Sequence, residues 1–444
     1  MKAGISYLAY DIPKIYLDIE EFSKNRVVDA EKLKKGLGIY KMSICDVHED
    51  TATMAGNALL KLIAQNDIDP KTINRIYLGT ESALDSSKPT ATYAVDMVEQ
   101  ELGERVFAHT DVVDMNFACI GAVDVFQNAL DYVRVNPTHK AVVIASDFAK
   151  YDLESPGEYT QGAGAVAMLV EADPKLMAFD PIFGVGYKSE HDFFKPRRKY
   201  KVNEHTKSYT TDESLQVYRE EPVFDGQFSN KCYQDRIREA YFHFKSLKGE
   251  DGKLHETWSS LIFHLPYAFH GKRIFSEIFQ IEKDNINSDD VKENMYEFEV
   301  LKNLSKSEEY KNFVSEKVLD AQKASSQIGN MYAASIFMSL ISELFYKKEK
   351  LSKGDKFGFI AYGSGSKSKV FEGQLVEGFQ IEVDKLDLEK VFDNRTAIDF
   401  ATYEKLHRKI LSSSVIEPAN EFALTSIHDN SQNLPGRRYY AYHS

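Results

Sequence analysis

Cysteine is scarce in this 444-residue chain: Cys45, Cys119 and Cys232 are the only three, and no two stand at a short pairing or metal-type spacing. An odd number so spaced argues against a disulfide framework and leads to the expectation of a cytoplasmic protein. Long apolar runs are missing too. The longest apolar-rich stretch, "MYAASIFMSLISELF" (Met331–Phe345), falls short of the roughly 20 residues that cross a bilayer and contains Glu343. It is expected as a buried helix, with no membrane partner. The opening "MKAGISYLAYDIPKIYLDIEEF" carries acidic residues where a signal peptide needs an uninterrupted apolar region, so secretion is not expected. Positive charge is the third deficit. Lys and Arg number 55 against 68 Asp and Glu, a net charge of −13, which disfavours nucleic acid as a partner because such binding rests on neutralising phosphates. No Walker motif, no H-E-x-x-H and no clustered Cys/His set appears, so nothing suggests a resident metal.

What is present is a 43% hydrophobic chain long enough for two or three packed units. "TATMAGNALLKLIAQN" (51–66) repeats apolar residues at helical spacing, and "RIYLGT" (75–80) follows as a short β-rich run. The alternation continues with "ATYAVDMVEQELG" as helix, "RVFAHTDVVDMNF" as strand, "IGAVDVFQNALDYVRV" as helix and "KAVVIASDF" as strand. "GAGAVAMLVEAD" reads as a strand closing a hairpin. Such alternation predicts an α/β layered fold with central strands buried on both faces. The second half repeats the logic: "WSSLIFHLPYAF" (258–269), a long helical segment over about 324–346, then "KFGFIAYGSGSKSKVFEGQLVEG" as strand, glycine turn and strand. The pattern suggests an internal duplication, with an N-terminal half over 1–175 and a C-terminal half over 176–444. Between them, about 187–221, the chain turns polar and aperiodic and is expected as an inserted excursion; its basic run "KPRRKYK" (195–201) reads as a solvated loop. The region 280–312 is expected to hold helices with solvated faces, and a C-terminal extension from Asp384 one helix and two strands.

"GAGAVA" (162–167) matches a dinucleotide fingerprint, yet a polar loop precedes it and a β-rich run follows, so close backbone packing is the better reading. Four polar groups at strand ends carry more. Glu81 follows "RIYLGT", Cys119 follows "VVDMNFA", His264 follows "SSLIF", and "YGSGS" (362–366) follows "KFGFIA". Loops after strands gather into clefts in α/β sheets, so these groups can converge. Together they offer a nucleophile, a carboxylate base, an imidazole and backbone donors. Cys119 is expected to open the following helix, where N–H groups and dipole would lower its pKa into the range of about 3.5 to 7.5 without an adjacent base.

These motifs resemble hydroxymethylglutaryl-CoA synthase, in its bacterial form, over nearly the whole chain. The resemblance rests on "GTESALDSSKP", "NFACIGA", "DFAKYDLESPGEYTQGAGAVAML", "PVFDGQFSNKCY", "FHLPYAFHGKR", "IGNMYAASIF" and "AYGSGS", in that order. It implies a thiolase-like fold: duplicated βαβαβαββ halves forming a five-layered αβαβα architecture, usually as a homodimer. It also implies an acyltransferase that joins acetyl-CoA, acetoacetyl-CoA and water into 3-hydroxy-3-methylglutaryl-CoA and CoA, on the mevalonate route to isoprenoids, with no permanently bound cofactor. The family's roles would give Cys119 the acetyl group, make Glu81 the base and place His264 at the acetoacetyl carbonyl. Backbone N–H groups of Cys119 and Ser364, after Gly363, would form the oxyanion hole. Asn330, Tyr151, Thr160, Ser229, Lys272 and Arg273 match substrate or CoA segments. Phe269 departs from the pattern, standing where a basic side chain is common. The alternatives are a homologous synthase that performs β-branching on a carrier-protein-bound polyketide, and a noncatalytic thiolase-like scaffold.

Overall fold

A computed structural model describes residues 2–444. Its central element is a ten-stranded mixed sheet in the order Ser260–Phe263, Lys356–Gly363, Lys367–Leu375, Met177–Phe179, Ala3–Asp11, Gly162–Ala172, Lys140–Ala149, Ile73–Gly79 and Asp111–Met115, with Gly184–Tyr187 also paired to Lys367–Leu375. The two ends are built alike. Each has an antiparallel hairpin, Lys140–Ala149 with Gly162–Ala172 and Lys356–Gly363 with Lys367–Leu375. In each, a further strand lies parallel to the hairpin's first strand: Ile73–Gly79 at one end, Ser260–Phe263 at the other.

Side-chain alternation along these strands sets the layers. Ala141, Val143 and Ala145 of one end and Phe357, Phe359 and Ala361 of the other face a shared core. Between them lie the helices Gly121–Val135 and Ser335–Lys347. Ser335–Lys347 is apolar on nearly every side, and its residues from Ser335 to Leu344 are all buried, as a helix between two sheets must be. Val142 and Ile144 point the other way, onto helices Thr51–Gln65 and Thr90–Leu102. Leu261, Ile360 and Tyr362 pack on Gly226–Lys248 and Ser276–Lys283. Helix, sheet, helix, sheet, helix is the five-layered thiolase-like arrangement.

Four local expectations change. The strand expected over "RVFAHTDVVDMNF" is only Asp111–Met115, since the residues before it form turns. The helix expected across 324–346 is two, Leu319–Ile328 and Ser335–Lys347, broken at Gly329. There φ is +90°, and a Cβ would lie 2.0 Å from the Gln161 carbonyl oxygen. The excursion at 187–221 carries strands Phe193–Phe194, Arg198–Lys201 and Ser214–Val217, and its Asp192 is fully buried. "KPRRKYK" is therefore not a free loop: Arg198–Lys201 pairs with Ser214–Val217 and Lys195 turns inward. Among the described residues no helix is long and apolar enough to cross a membrane. Glu343, inside the central layer, has its Oε1 held by the Ser260 hydroxyl and by Lys347 at 3.0 Å, while its Oε2 is buried without a partner.

Phe126 locks the central layer, meeting Phe179 edge-on at 4.8 Å and Phe337 at 5.6 Å between ring centres. Phe126→Ala leaves a cavity among three elements and should cost about 3–5 kcal/mol. Urea denaturation followed by circular dichroism should show the midpoint fall; an unmoved midpoint would contradict this packing.

Candidate active site

The repeated strand pattern brings Glu81 and His264 to corresponding places. Glu81 lies two residues beyond Ile73–Gly79, and His264 directly follows Ser260–Phe263. Cys119 sits in the turn between strand Asp111–Met115 and helix Gly121–Val135, after Ala118 at φ +41°. Its Sγ is 3.8 Å from Glu81 Oε2, so a carboxylate absent from its sequence neighbours is present in space. The loop after Lys356–Gly363 closes the other side. A Cβ on Gly363 would stand 2.7 Å from Ile120 Cγ2 and 2.8 Å from the Ile120 nitrogen, so only glycine lets this loop approach the start of the helix.

Burial dominates the electrostatics. Glu81 is pushed up to about 7 by desolvation, against the pull of Lys195 and with a further push from Asp147. The Cys119 thiol is raised well above its ordinary value by desolvation and by the Glu81 and Asp147 carboxylates. This corrects the expectation of a dipole-lowered thiol: the helix begins at Gly121, two residues late, and burial beside two carboxylates outweighs its field. Burial also lowers His264 to about 3, so its imidazole is neutral, with Nδ1 unpartnered. Its ring is fixed by Tyr233, which stacks on it at 6.0 Å and donates its hydroxyl to the His264 carbonyl at 2.6 Å.

A cleft of about 480 Å³ gathers Cys119, His264, Ser364, Asn330, Tyr151, Thr160, Ser229 and Arg273. Glu81 borders an adjoining cavity of about 730 Å³ and reaches the cleft through its contact with Cys119. Asn330 occupies the break between the two helices; its N–H donates to the Thr160 carbonyl at 2.9 Å, and its Oδ1 accepts from the Tyr332 N–H at 2.8 Å. Thr160 donates its hydroxyl to the Gly157 carbonyl at 2.7 Å, and Ser229 donates to Asp192 at 3.3 Å. Tyr151 packs on Phe224, Phe193 and Tyr332. Arg273 lines the cleft and donates to the Gly36 carbonyl at 2.6 Å. Two expected residues lie off the cleft wall: Gly363, packed on Ile120, and Lys272, whose Nζ lies 3.2 Å above the Phe269 ring and whose pKa burial lowers to about 8.

Sequence reasoning missed several groups. Asp147, fully buried, accepts from the Thr80 hydroxyl at 2.7 Å, the Glu81 N–H at 2.9 Å and the Ala333 N–H at 2.9 Å. Asp192 accepts from the Tyr362 hydroxyl at 2.7 Å and the Gly365 N–H at 2.8 Å. Lys195 Nζ is 3.6 Å from Glu81 Oε1. His270 also lines the cleft, buried, with both ring nitrogens unpartnered. The aromatic pair Phe193-Phe194 inside a charge-rich stretch was the signal that this stretch docks on a core. Away from the cleft, His48, Glu49 and Glu421 come together with ligand atoms within 4.8 Å. Lys14 already neutralises Glu421 at 2.8 Å, so the group is an ion-pair cluster rather than an open cation site.

The raised thiol has a measurable consequence. Alkylation of Cys119 by iodoacetamide in the ligand-free protein should be slow at neutral pH and climb with pH beyond the usual thiol range, because only the thiolate reacts. Glu81→Gln removes one repelling carboxylate and should move that rise to lower pH. A neutral-pH rate matching a low-pKa thiol would contradict the assignment.

Two family models match the chain: "Hydroxymethylglutaryl-coenzyme A synthase N terminal" over residues 1–175 and "Hydroxymethylglutaryl-coenzyme A synthase C terminal" over 214–426. The hydroxymethylglutaryl-CoA synthase of Haloferax volcanii is 29% identical over 451 residues, covering 95% of this chain and 96% of its own. That of Enterococcus faecalis is 28% identical over 436 residues, covering 97% and 98%. Among solved structures, MvaS in complex with 3-hydroxy-3-methylglutaryl coenzyme A superposes with a TM-score of 0.84 at 28% identity, covering 100% of this chain and 99% of that one. The HMG synthase of the curacin biosynthetic pathway shares the fold, with a TM-score of 0.80 at 19% identity and full coverage of both chains. With both halves matched in order and the cysteine, glutamate and histidine meeting across them, the chain belongs to the hydroxymethylglutaryl-CoA synthase family.

Proposed function

We propose that Cys119, Glu81 and His264 divide between them the reaction of this family, the condensation of acetyl-CoA with acetoacetyl-CoA and water to 3-hydroxy-3-methylglutaryl-CoA and CoA. The observation that carries the division is the 3.8 Å approach of the Cys119 sulfur to the Glu81 carboxylate. The Cys119 sulfur attacks the acetyl thioester carbonyl, the CoA thiolate departs and takes up the thiol's proton as free CoA, and an acetyl-Cys thioester remains. Glu81 then removes a proton from the acetyl methyl group. A carboxylate raised to about 7 is a better base for a weakly acidic C–H than one in water, and covalent attachment holds the methyl beside it. The enolate attacks the C3 carbonyl of acetoacetyl-CoA, with the neutral His264 imidazole donating a hydrogen bond to the developing oxyanion. Water then cleaves the enzyme thioester.

In this reading Ser364 and the Cys119 backbone receive the thioester oxygen, Asn330 and Tyr151 orient the acyl groups, and Thr160 and Ser229 border the CoA arm; that all six line one cleft supports it. Arg273, rather than Lys272, is the cation for the CoA phosphates: it lines the cleft, while Lys272 rests on Phe269. The working unit is a cytoplasmic homodimer. The unpaired edge of strand Asp111–Met115, next to the Cys119 turn, supports this reading, since exposed edges invite pairing. The chain divides at about residue 175 into halves that supply the Cys and the His.

Intact-mass measurement after acetyl-CoA is added tests the roles. The wild-type chain should gain one acetyl group and release it as hydroxymethylglutaryl-CoA when acetoacetyl-CoA follows. Cys119→Ala should gain none. Glu81→Ala should acylate yet fail to condense, with a loss on the order of 100-fold or more, as expected for removal of a general base. Product from either variant at the wild-type rate would overturn the assignment.

A further inference from the structure

Glu81 is buried and its carboxylate oxygens have few partners: Oε2 meets the Cys119 sulfur, and Oε1 has no hydrogen bond. Asp147, another buried carboxyl, binds its backbone N–H. A second carboxylate beside a buried carboxyl favours protonation of one of the two, and a protonated Glu81 would be no base. Among the described residues, one cation reaches this place. Lys195, side chain 10% exposed, lies with Nζ 3.6 Å from Glu81 Oε1, donates to the Glu81 carbonyl at 3.3 Å, and rests 4.6 Å above the Tyr332 ring. It is carried by the segment whose preceding residues are pinned to both halves: Asp192 holds the Tyr362 hydroxyl and the Gly365 N–H, and Phe193 packs on Tyr151 and Tyr332. The backbone beyond is tied down by the pairing of Arg198–Lys201 with Ser214–Val217.

We propose that Lys195 is a positioning residue for the base: the strap between the two halves delivers its ammonium to Glu81, keeps that carboxylate ionised in the closed site and fixes it toward the Cys119 sulfur. This rests on Glu81 being the base, as set out above. The ammonium is near enough for a strong Coulomb attraction but at 3.6 Å does not clamp Oε1 in a hydrogen bond, which leaves the oxygen able to accept a proton. The other titratable groups facing Glu81 are Cys119, Asp147, Tyr151, Tyr332 and Tyr218, and Asp85, Lys88, Asp114, Arg197, Glu220 and Arg438 line the same cavity. The three phenols are raised by burial and stay neutral, so among the described residues Lys195 is the cation that opposes the carboxyl cluster at close range.

The test is the pH profile of condensation in Lys195→Met and Lys195→Arg, with Cys119 acetylation followed by mass in the same samples. Losing the ammonium raises the Glu81 pKa, so the acid limb of the Lys195→Met profile should move to higher pH by about one unit or more, the scale of one opposite charge at this distance. Activity should be partly recovered at high pH, and the enzyme should accumulate in the acetylated form. Lys195→Arg keeps the charge and should keep the wild-type limb. If Lys195→Met does not fold, Lys195→Gln carries the same comparison. An acid limb in the uncharged variant that coincides with wild type, or equal loss of acetylation and condensation at every pH, would overturn the proposal. If instead Glu81→Ala still condenses, the failure lies in the assignment of the base and not in Lys195.

Discussion

The carboxylate of Asp147 is the joint on which the reacting centre depends. It belongs to a central strand of the N-terminal half, yet its acceptors take the Thr80 hydroxyl and Glu81 N–H on one side and the Ala333 N–H on the other. The first pair fixes the turn that carries Glu81. The last fixes the turn after Gly329, where the helix breaks and Asn330 and Tyr332 are presented. A fully buried carboxyl is costly unless donors surround it, and here the donors are the backbone of the very loops that must be held. Desolvation and positioning are thus one feature: the cost of burying Asp147 is offset only when both loops are in register.

The same coupling explains why two halves are needed. Each half ends its outer parallel strand at the site, one with Glu81 and the other with His264. The central helices that separate the halves begin at the site as well, with Cys119 just before one and Asn330 just before the other. A strand end and a helix start from each half therefore meet at one point, and close packing of the middle layer transmits the position of one pair to the other. Gly363 is the residue that allows the loop and the helix start to touch.

Much of this was legible in the chain. Alternating apolar strands and helical spacing gave the layers, because both periods are imposed by burial and survive without tertiary knowledge. Cys119, Glu81 and His264 were legible because each follows a strand end. What escaped was set by long-range partners. The helix over 324–346 looked continuous because Gly329 and Asn330 interrupt no apolar spacing; the break comes from the Gln161 carbonyl crowding Gly329. "KPRRKYK" looked solvated because charge dominates its composition, whereas Lys195 is drawn in by a carboxylate 114 positions away. The Cys119 pKa was misjudged for a related reason: a helix start is a local signal, but the neighbouring carboxylates that outweigh it come from other strands.

The crowd of acids around the sulfur also bears on the order of the steps under the proposed roles. Before acylation the Cys119 thiol donates toward Glu81 Oε2, which holds the carboxylate's basicity down, while the carboxylate in turn resists formation of a thiolate. Acylation replaces that thiol by a thioester with no proton to donate. The oxygen that faced the sulfur is then released beside the new methyl group, and loss of the donor makes the carboxylate more basic. Glu81 gains strength as a carbon base only once its substrate is attached, so the carboxylate that the thiol restrains in the free protein is released to take the methyl proton. Lys195 bounds this rise from the other side, keeping the released carboxylate charged until the methyl proton is taken.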